Sequence, residues 1–155
     1  MDEAAESYRH WWSEQFGRSI DRSGLRAESN VLRYRPVSKV LVRVDRSTAV
    51  FDVTSIRTAA EVAGVPVEVS GPPETATLVD VVEDDASLAA RLVSGGFERL
   101  RLLGACDDVV RKAAHEQNIA VDDRAVTHDG RVELPCWVRE QAISRTVHRH
   151  GRVPS

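Results

Sequence analysis

Cysteine is scarce. Cys106 and Cys136 are the two thiols in 155 residues, thirty positions apart, with no CxxC pair and no neighbouring ligands. That spacing excludes a disulfide framework and a zinc site of ordinary ligand spacing, and reduced thiols follow as the default. Long apolar runs are missing too, none approaching the ~18 residues of a membrane span. The first sixteen residues, MDEAAESYRHWWSEQF, are acidic and amphipathic, whereas a signal peptide would be basic and then continuously apolar. A cytoplasmic location is expected. Neither sign of charge dominates: 21 Lys and Arg face 24 Asp and Glu, for a formal charge of -3. So weak a field gathers neither nucleic acid nor anionic lipid, and neither is expected as a partner. There is no GxSxG elbow, Walker loop or HExxH helix, and no internal repeat.

What remains is the composition of a water-soluble domain, 42% hydrophobic and 29% charged, at a length that supports one core. Residues 2–16 read as a helix with Glu3 and Glu6 in its first turn and Tyr8, Trp12 and Phe16 on one stripe, stopped by Gly17. A polar loop follows over 18–30. From Val31 the pattern becomes strand and helix in alternation. Strands are predicted at 31–36, 39–44, 65–69, 97–103 and 119–122, with a short apolar run before Glu83. Helices are predicted over 52–63, from Asp84 or Asp85 to Gly95, and from Asp107 or Asp108 to Gln117. Such alternation predicts an α/β fold, a Rossmann-like, mostly parallel sheet with helices on both faces, plus the N-terminal helix and a C-terminal β-strand. His128-Asp-Gly130 reads as a hairpin turn, Cys136–Gln141 as a short helix behind Pro135, and 142–148 as the last strand. The implied organisation is a helix and linker over 1–30, the Rossmann-like domain over 31–150 and a tail over 151–155. Val40, Val42, Val67, Leu100, Leu102 and Val121 are expected in buried strands of one sheet.

In such a fold the strand-to-helix turn is where helix amides bind phosphate. The candidate turn is Gly104, Ala105, Cys106, Asp107, Asp108, which keeps one glycine and places two carboxylates where a dinucleotide would need close backbone approach. It reads as a degenerate turn with an acidic N-cap rather than a cofactor site. Cys106 at a helix start has the position of an activated thiol, but the adjacent carboxylates oppose thiolate formation, and His115 lies two turns away. Cys136 reads as packing. His148 and His150 share one side of a strand, but two ligands do not make a metal site. Glu83, Asp84 and Asp85 read as a capping cluster. No catalytic and no metal residue is assigned.

Two segments carry a resemblance: residues 19–44, above all Asn30-Val-Leu-Arg-Tyr-Arg-Pro36, and residues 137–151, with Arg139-Glu-Gln-Ala-Ile-Ser144, His148-Arg149 and Gly151. They resemble the C-terminal region of the actinobacterial proline utilization A type of bifunctional proline dehydrogenase and glutamate-semialdehyde dehydrogenase. The family ending has Tyr where this chain has His150. The resemblance implies a domain with the fold of an aldehyde dehydrogenase coenzyme domain but without its chemistry, covering the catalytic module and helping to close its substrate cavity. The Gly-Gln-Cys segment and the catalytic glutamate of active enzymes are absent. NAD is implied for the resembled parent enzyme and no cofactor for this chain. The implied partner is an aldehyde dehydrogenase module or a second copy of the chain. Tyr8, Trp12, Phe16, Ile143, Arg145, Val147 and His148 are the expected interface, being the apolar or strand-pairing residues left over once the βα core is built. Two other readings are a small or truncated NAD-binding dehydrogenase and an unrelated protein-binding module.

Overall fold

A computed structural model describes residues 3–146. Five parallel strands form the centre: β3 (Val40–Val44), β4 (Val67–Gly71), β5 (Val81–Val82), β6 (Arg99–Leu103) and β7 (Ala120–Asp122). Their order is β5-β4-β3-β6-β7. Counted from the first parallel strand this is 3-2-1-4-5, the first five strands of the Rossmann order, which reverses direction between β3 and β6. Helix α2 (Val50–Ala63) connects β3 to β4, α3 (Asp85–Leu92) connects β5 to β6, and α4 (Asp108–Glu116) connects β6 to β7. Gly64 ends α2 in the left-handed conformation, and the Asp84 and Asp107 carboxylates cap α3 and α4 by accepting the N–H groups of Ser87 and Val109.

Strand alternation gives the sheet two packed faces. Val40, Val42 and Val44 point to one cluster with Val53, Ile56, Ala60, Tyr8 and Trp137. Leu41, Leu100 and Leu102 point to the other, against Leu88 and Leu92 of α3 and Val110 and Ala114 of α4. Helices therefore cover both faces. Among the described residues no helix is long and apolar enough to cross a membrane.

The first helix, α1 (Glu3–Trp11), continues as a π turn over Trp12–Phe16. It packs on α2 and on α5 (Gly130–Glu133). Gly130 is required where it lies, because a Cβ there would sit 2.7 Å from the Ser7 carbonyl oxygen. Its N–H instead donates to Ser7 Oγ at 2.9 Å.

Several expectations are corrected. The 18–30 segment is not all loop: Ser19–Asp21 forms β1, and β2 runs over Glu28–Pro36. With β8 (Val138–Thr146) these make a separate antiparallel sheet in the order β1-β2-β8, so residues 31–148 do not share one sheet. His128-Asp-Gly130 is no hairpin, since Asp129 accepts the Arg131 N–H and starts α5. The predicted helix over 136–141 ends at Trp137, after a 3-10 turn from Leu134, and Val138 already pairs with Pro36. Val40, Val42, Leu100 and Leu102 are buried as expected, but Val67 is half-buried and Val121, on the edge strand β7, is 37% exposed.

Candidate functional site

In open α/β sheets ligands bind beyond the carboxyl ends of the strands, at the point where strand order reverses. Here that point lies between Val44 of β3 and Leu103 of β6. The loop after β3 is Asp45-Arg-Ser-Thr-Ala49, which contains no glycine. Its first residue turns inward. Asp45 Oδ1 accepts the Ser47 N–H at 2.8 Å and the Ser47 hydroxyl at 2.6 Å, while Oδ2 accepts the Ala105 N–H at 2.8 Å. Thr48 closes the loop, accepting the Asp45 N–H through Oγ1 and donating the same hydroxyl to the Leu103 carbonyl. Burial alone would raise the Asp45 pKa, but the bonds from Ser47, Ala105 and Thr48 outweigh it and hold the carboxyl below its usual range.

Gly104 lets the two strand ends approach. Its φ is +124°, and a Cβ would fall 2.3 Å from Asp45 Cγ. The carboxylate therefore occupies the reversal point, and the Ser47 and Ala105 amides, which could otherwise meet an incoming anion, are already committed to it. Beside it is a cleft of about 310 Å³ lined by Ser47, Thr48, Asp52, Arg124 and Val126 among others. On the other side Asp84, Asp85, Asp107 and Asp45 line a second cleft of about 290 Å³.

Two arginines stand inside the sheet. Arg43 of β3, 5% exposed, donates to Ser70 Oγ at 2.9 Å and the Glu83 carbonyl at 3.0 Å, and pairs with Asp85 at 2.6 Å. Arg101 of β6, 1% exposed, donates to Asp122 at 2.8 Å and to the Arg124 carbonyl at 2.7 Å, and reaches Glu133 at 3.3 Å. Arg43 holds the segment after β5, two strands away, and Arg101 holds the segment after its neighbour β7, so the walls of the reversal point are fixed from within. Burial pushes the Glu133 pKa up. For Asp122 burial acts in the same direction, yet hydrogen bonds from Arg124 and the Arg101 charge prevail and hold its carboxyl well below the usual range. Among the described residues no group of three or more His, Cys, Asp or Glu is arranged to hold a metal ion.

No protein-family model and no curated protein matches the chain. Among solved structures it is similar to Proline Utilization A from Corynebacterium freiburgense, with 28% identity and a TM-score of 0.69 over 95% of this chain. The chain is an aldehyde dehydrogenase-like domain similar to part of Proline Utilization A. The match takes up 13% of the Corynebacterium protein, so this chain corresponds to a small part of its length. Histidinol dehydrogenase from Elizabethkingia anophelis shares the fold, at 15% identity and a TM-score of 0.54, over 79% of this chain and 34% of that one.

The predicted site residues of this Proline Utilization A-like domain fall in three places. Gly104, Ala105, Cys106, Asp107 and Asp108 form the turn after β6, with Asp107 as the helix cap and Asp108 exposed. Cys106 is half-buried, and burial is the main cause of its raised pKa; the carboxylate that adds to the rise is Asp85, not the adjacent pair expected from sequence. Cys136 is buried among core residues, which pushes its thiol up to about 12, the environment of a packing cysteine. The aromatic stripe is largely spent inside the chain. Tyr8 is fully buried and donates its hydroxyl to the Thr127 carbonyl at 2.6 Å, and Phe16 is buried edge-on against Tyr34 at 4.9 Å between ring centroids. Trp12 is half-buried. Tyr8 and Phe16, expected at an interface, are thus buried inside the chain, Tyr8 on α1 where it packs on α2 and α5, and Phe16 where the π turn meets Tyr34 of β2. Ile143 is half-buried and Arg145 exposed on β8, while Val147, His148 and His150 lie outside the described residues. Sequence reasoning missed Asp45, Arg43 and Arg101. The available signal was a charged residue inside each apolar run, VLVRV and RLRLL, and a glycine-free first βα turn.

Proposed function

We propose that the chain is a non-catalytic domain that covers and helps assemble a proline-catabolic aldehyde dehydrogenase, an enzyme that oxidises glutamate semialdehyde to glutamate. The observation that carries this reading is the Asp45 carboxylate at the reversal point. A pyrophosphate needs free N–H donors and close backbone approach there. Asp45 takes the donors, fills the approach in front of Gly104 and adds a like charge, so the residues present do not fit a dinucleotide. The likeness to Proline Utilization A over 95% of the chain supports the proline-catabolic context.

The rival reading, a small NAD-binding dehydrogenase, draws on the cleft beside Thr48. Calorimetric titration with NAD separates the two. No saturable heat up to millimolar NAD, together with no turnover of glutamate semialdehyde, is the result expected. Saturable binding lost on Thr48→Tyr would sink the non-catalytic reading. The covering role is tested separately by co-sedimentation of the purified chain with a proline-catabolic aldehyde dehydrogenase lacking this domain, where independent sedimentation would reject it.

A further inference from the structure

The segment between β7 and α5, residues 123–128, belongs to no helix or strand, and its first four residues form one wall of the cleft beside Asp45. Asp123, Arg124, Ala125 and His128 are exposed, so side-chain burial does little to hold the segment down. Three fully buried groups hold it by its backbone instead. Arg101 donates to the Arg124 carbonyl at 2.7 Å, Tyr8 donates to the Thr127 carbonyl at 2.6 Å, and Glu133 accepts the Thr127 N–H at 3.2 Å.

Glu133 is the weak member of the three. It is 2% exposed, yet the contacts that compensate its charge are long, 3.3 and 3.4 Å to Arg101 Nη2 and 3.2 Å to the Thr127 N–H. Arg101 spends its shorter bonds on Asp122 at 2.8 Å and on the Arg124 carbonyl. Asp122 also accepts twice from the Arg124 guanidinium, at 3.0 and 2.5 Å, so of the two carboxylates it is the settled anion. A buried carboxyl so poorly bonded favours its neutral form, and burial accordingly raises the Glu133 pKa although the Arg101 charge opposes the shift.

No other ionisable neighbour among the described residues offsets that burial. Facing Glu133 besides Arg101 are Asp122 of β7, Arg124 in the segment, Cys136 of the 3-10 turn and, through Thr127, Tyr8 of α1. The Cys136 thiol is pushed up to about 12 and adds no charge. On β6, Arg99 is spent on the carbonyls of 135, 136 and 138. Glu3, Glu6, Arg9 and His10 of α1 are exposed, as is Glu61 of α2; Asp52 lines the cleft, Arg57 pairs with Asp80 at 2.8 Å, and Arg131 of α5 lies over the Trp11 ring.

We propose that Glu133 is a proton-operated latch on this wall of the cleft. With its carboxyl neutral, the segment stays down on β6 and α5. Once the proton leaves, the anion gains more from water than from its long contacts, and lifting the segment whose Thr127 N–H lies against it is the route to water. In the lifted state the carboxyl is solvated, with a pKa of about 4.3, below its value when closed. Opening therefore becomes easier as pH rises from about 4.3 through the closed-state value, and levels off above it. Asp122 stays ionised throughout, because its carboxyl is held well below the usual range.

The purified full chain tests this without any dehydrogenase partner. Hydrogen exchange of the amides of 123–130, corrected for the intrinsic pH dependence of exchange, reads the opening constant at about pH 5 and about pH 7.5. In the wild type that constant should rise at least about fivefold between the two. Glu133→Gln keeps a neutral side chain of the same shape, so its opening constant should stay near the acid value and change by less than about twofold. Imidazoles change charge in the same interval, and His128 sits in the segment edge-on to Phe51, so both chains are also measured with His128→Asn, which should leave the results in place. Wild-type protection that does not vary with pH overturns the latch. So does a Glu133→Gln chain that keeps the wild-type response, or a response that vanishes with His128→Asn alone. If Glu133→Gln fails to fold, carbon-13 titration of carboxyl-labelled glutamate in the unaltered chain decides. One glutamate should titrate above about 4.3, at the midpoint of the exchange change. Glutamates that all titrate at or below that value, or a raised one with a different midpoint, overturn the proposal.

Discussion

Arg101 and Glu133 face each other from β6 and α5 at 3.3 Å, both almost wholly buried, and the same guanidinium holds Asp122 at 2.8 Å. One cation thus serves two carboxylates in a low-dielectric interior. Such a group adds little net stability over an apolar replacement of the whole set, but removing one member strands the rest. Arg101→Met should therefore cost about 3–5 kcal/mol in urea unfolding. Adding Glu133→Gln should recover part of that loss; an Arg101→Met variant as stable as the wild type would show the network to be dispensable.

Gly104 predicts a coupled pair. Its positive φ, and the 2.3 Å that would separate a Cβ at this position from Asp45 Cγ, penalise any side chain. Gly104→Ala should destabilise by about 1–3 kcal/mol. In an Asp45→Ala background the clash disappears and only the backbone penalty remains, so the increment should be smaller. Equal increments in both backgrounds would mean that the carboxylate does not crowd this turn.

Core truncations should separate the two kinds of strand residue. Leu100→Ala, at a fully buried position, should cost about 2–5 kcal/mol. Val121→Ala on the edge strand should stay within about 0.5 kcal/mol, as surface substitutions do. Chemical denaturation of the pair checks the assignment directly.

Acid should unfold the domain through carboxylates whose pKa values are lowered by folding, including Asp45, Glu68, Asp80, Glu98 and Asp122. A lowered pKa gives stability that is complete above the unfolded value, about 4, and is lost as pH falls through the folded value. Glu133 has the opposite sign: its raised pKa gives stability that is complete below about 4.3 and is lost as pH rises through its folded value. Because the lowered group is larger, melting temperature should drop on acidification below about pH 4. Asp45→Asn should make that drop shallower; an unchanged slope would remove Asp45 from the set.

The alternation of strand and helix was legible because each unit is local: a β-branched run, a capping Asp and a glycine stop lie within twenty residues of one another. The caps at Asp84 and Asp107 and the stop at Gly64 are such cases. The antiparallel sheet was not legible. β2 finds β8 more than a hundred residues away, and β1, three residues long, has no periodicity of its own until Arg33 and Val31 lie beside it. Asp45 was hidden for a related reason. In sequence it is an ordinary loop aspartate, and only the approach of Gly104 and Ala105 from another strand turns it into the anion of the site.

At the base of the antiparallel sheet, Arg99 donates to the carbonyls of Pro135 and Val138, each at 2.7 Å, and of Cys136 at 2.5 Å, just where the chain leaves α5 for β8. The other leg is held where the Val37 N–H donates to the Trp137 carbonyl at 3.1 Å. The antiparallel sheet is thus fastened at both legs, one of them to β6 through Arg99. Arg99 sits two residues before Arg101 on β6, so the anchorage of β8 rests on the same strand that carries the buried Arg101 network and leads into Gly104.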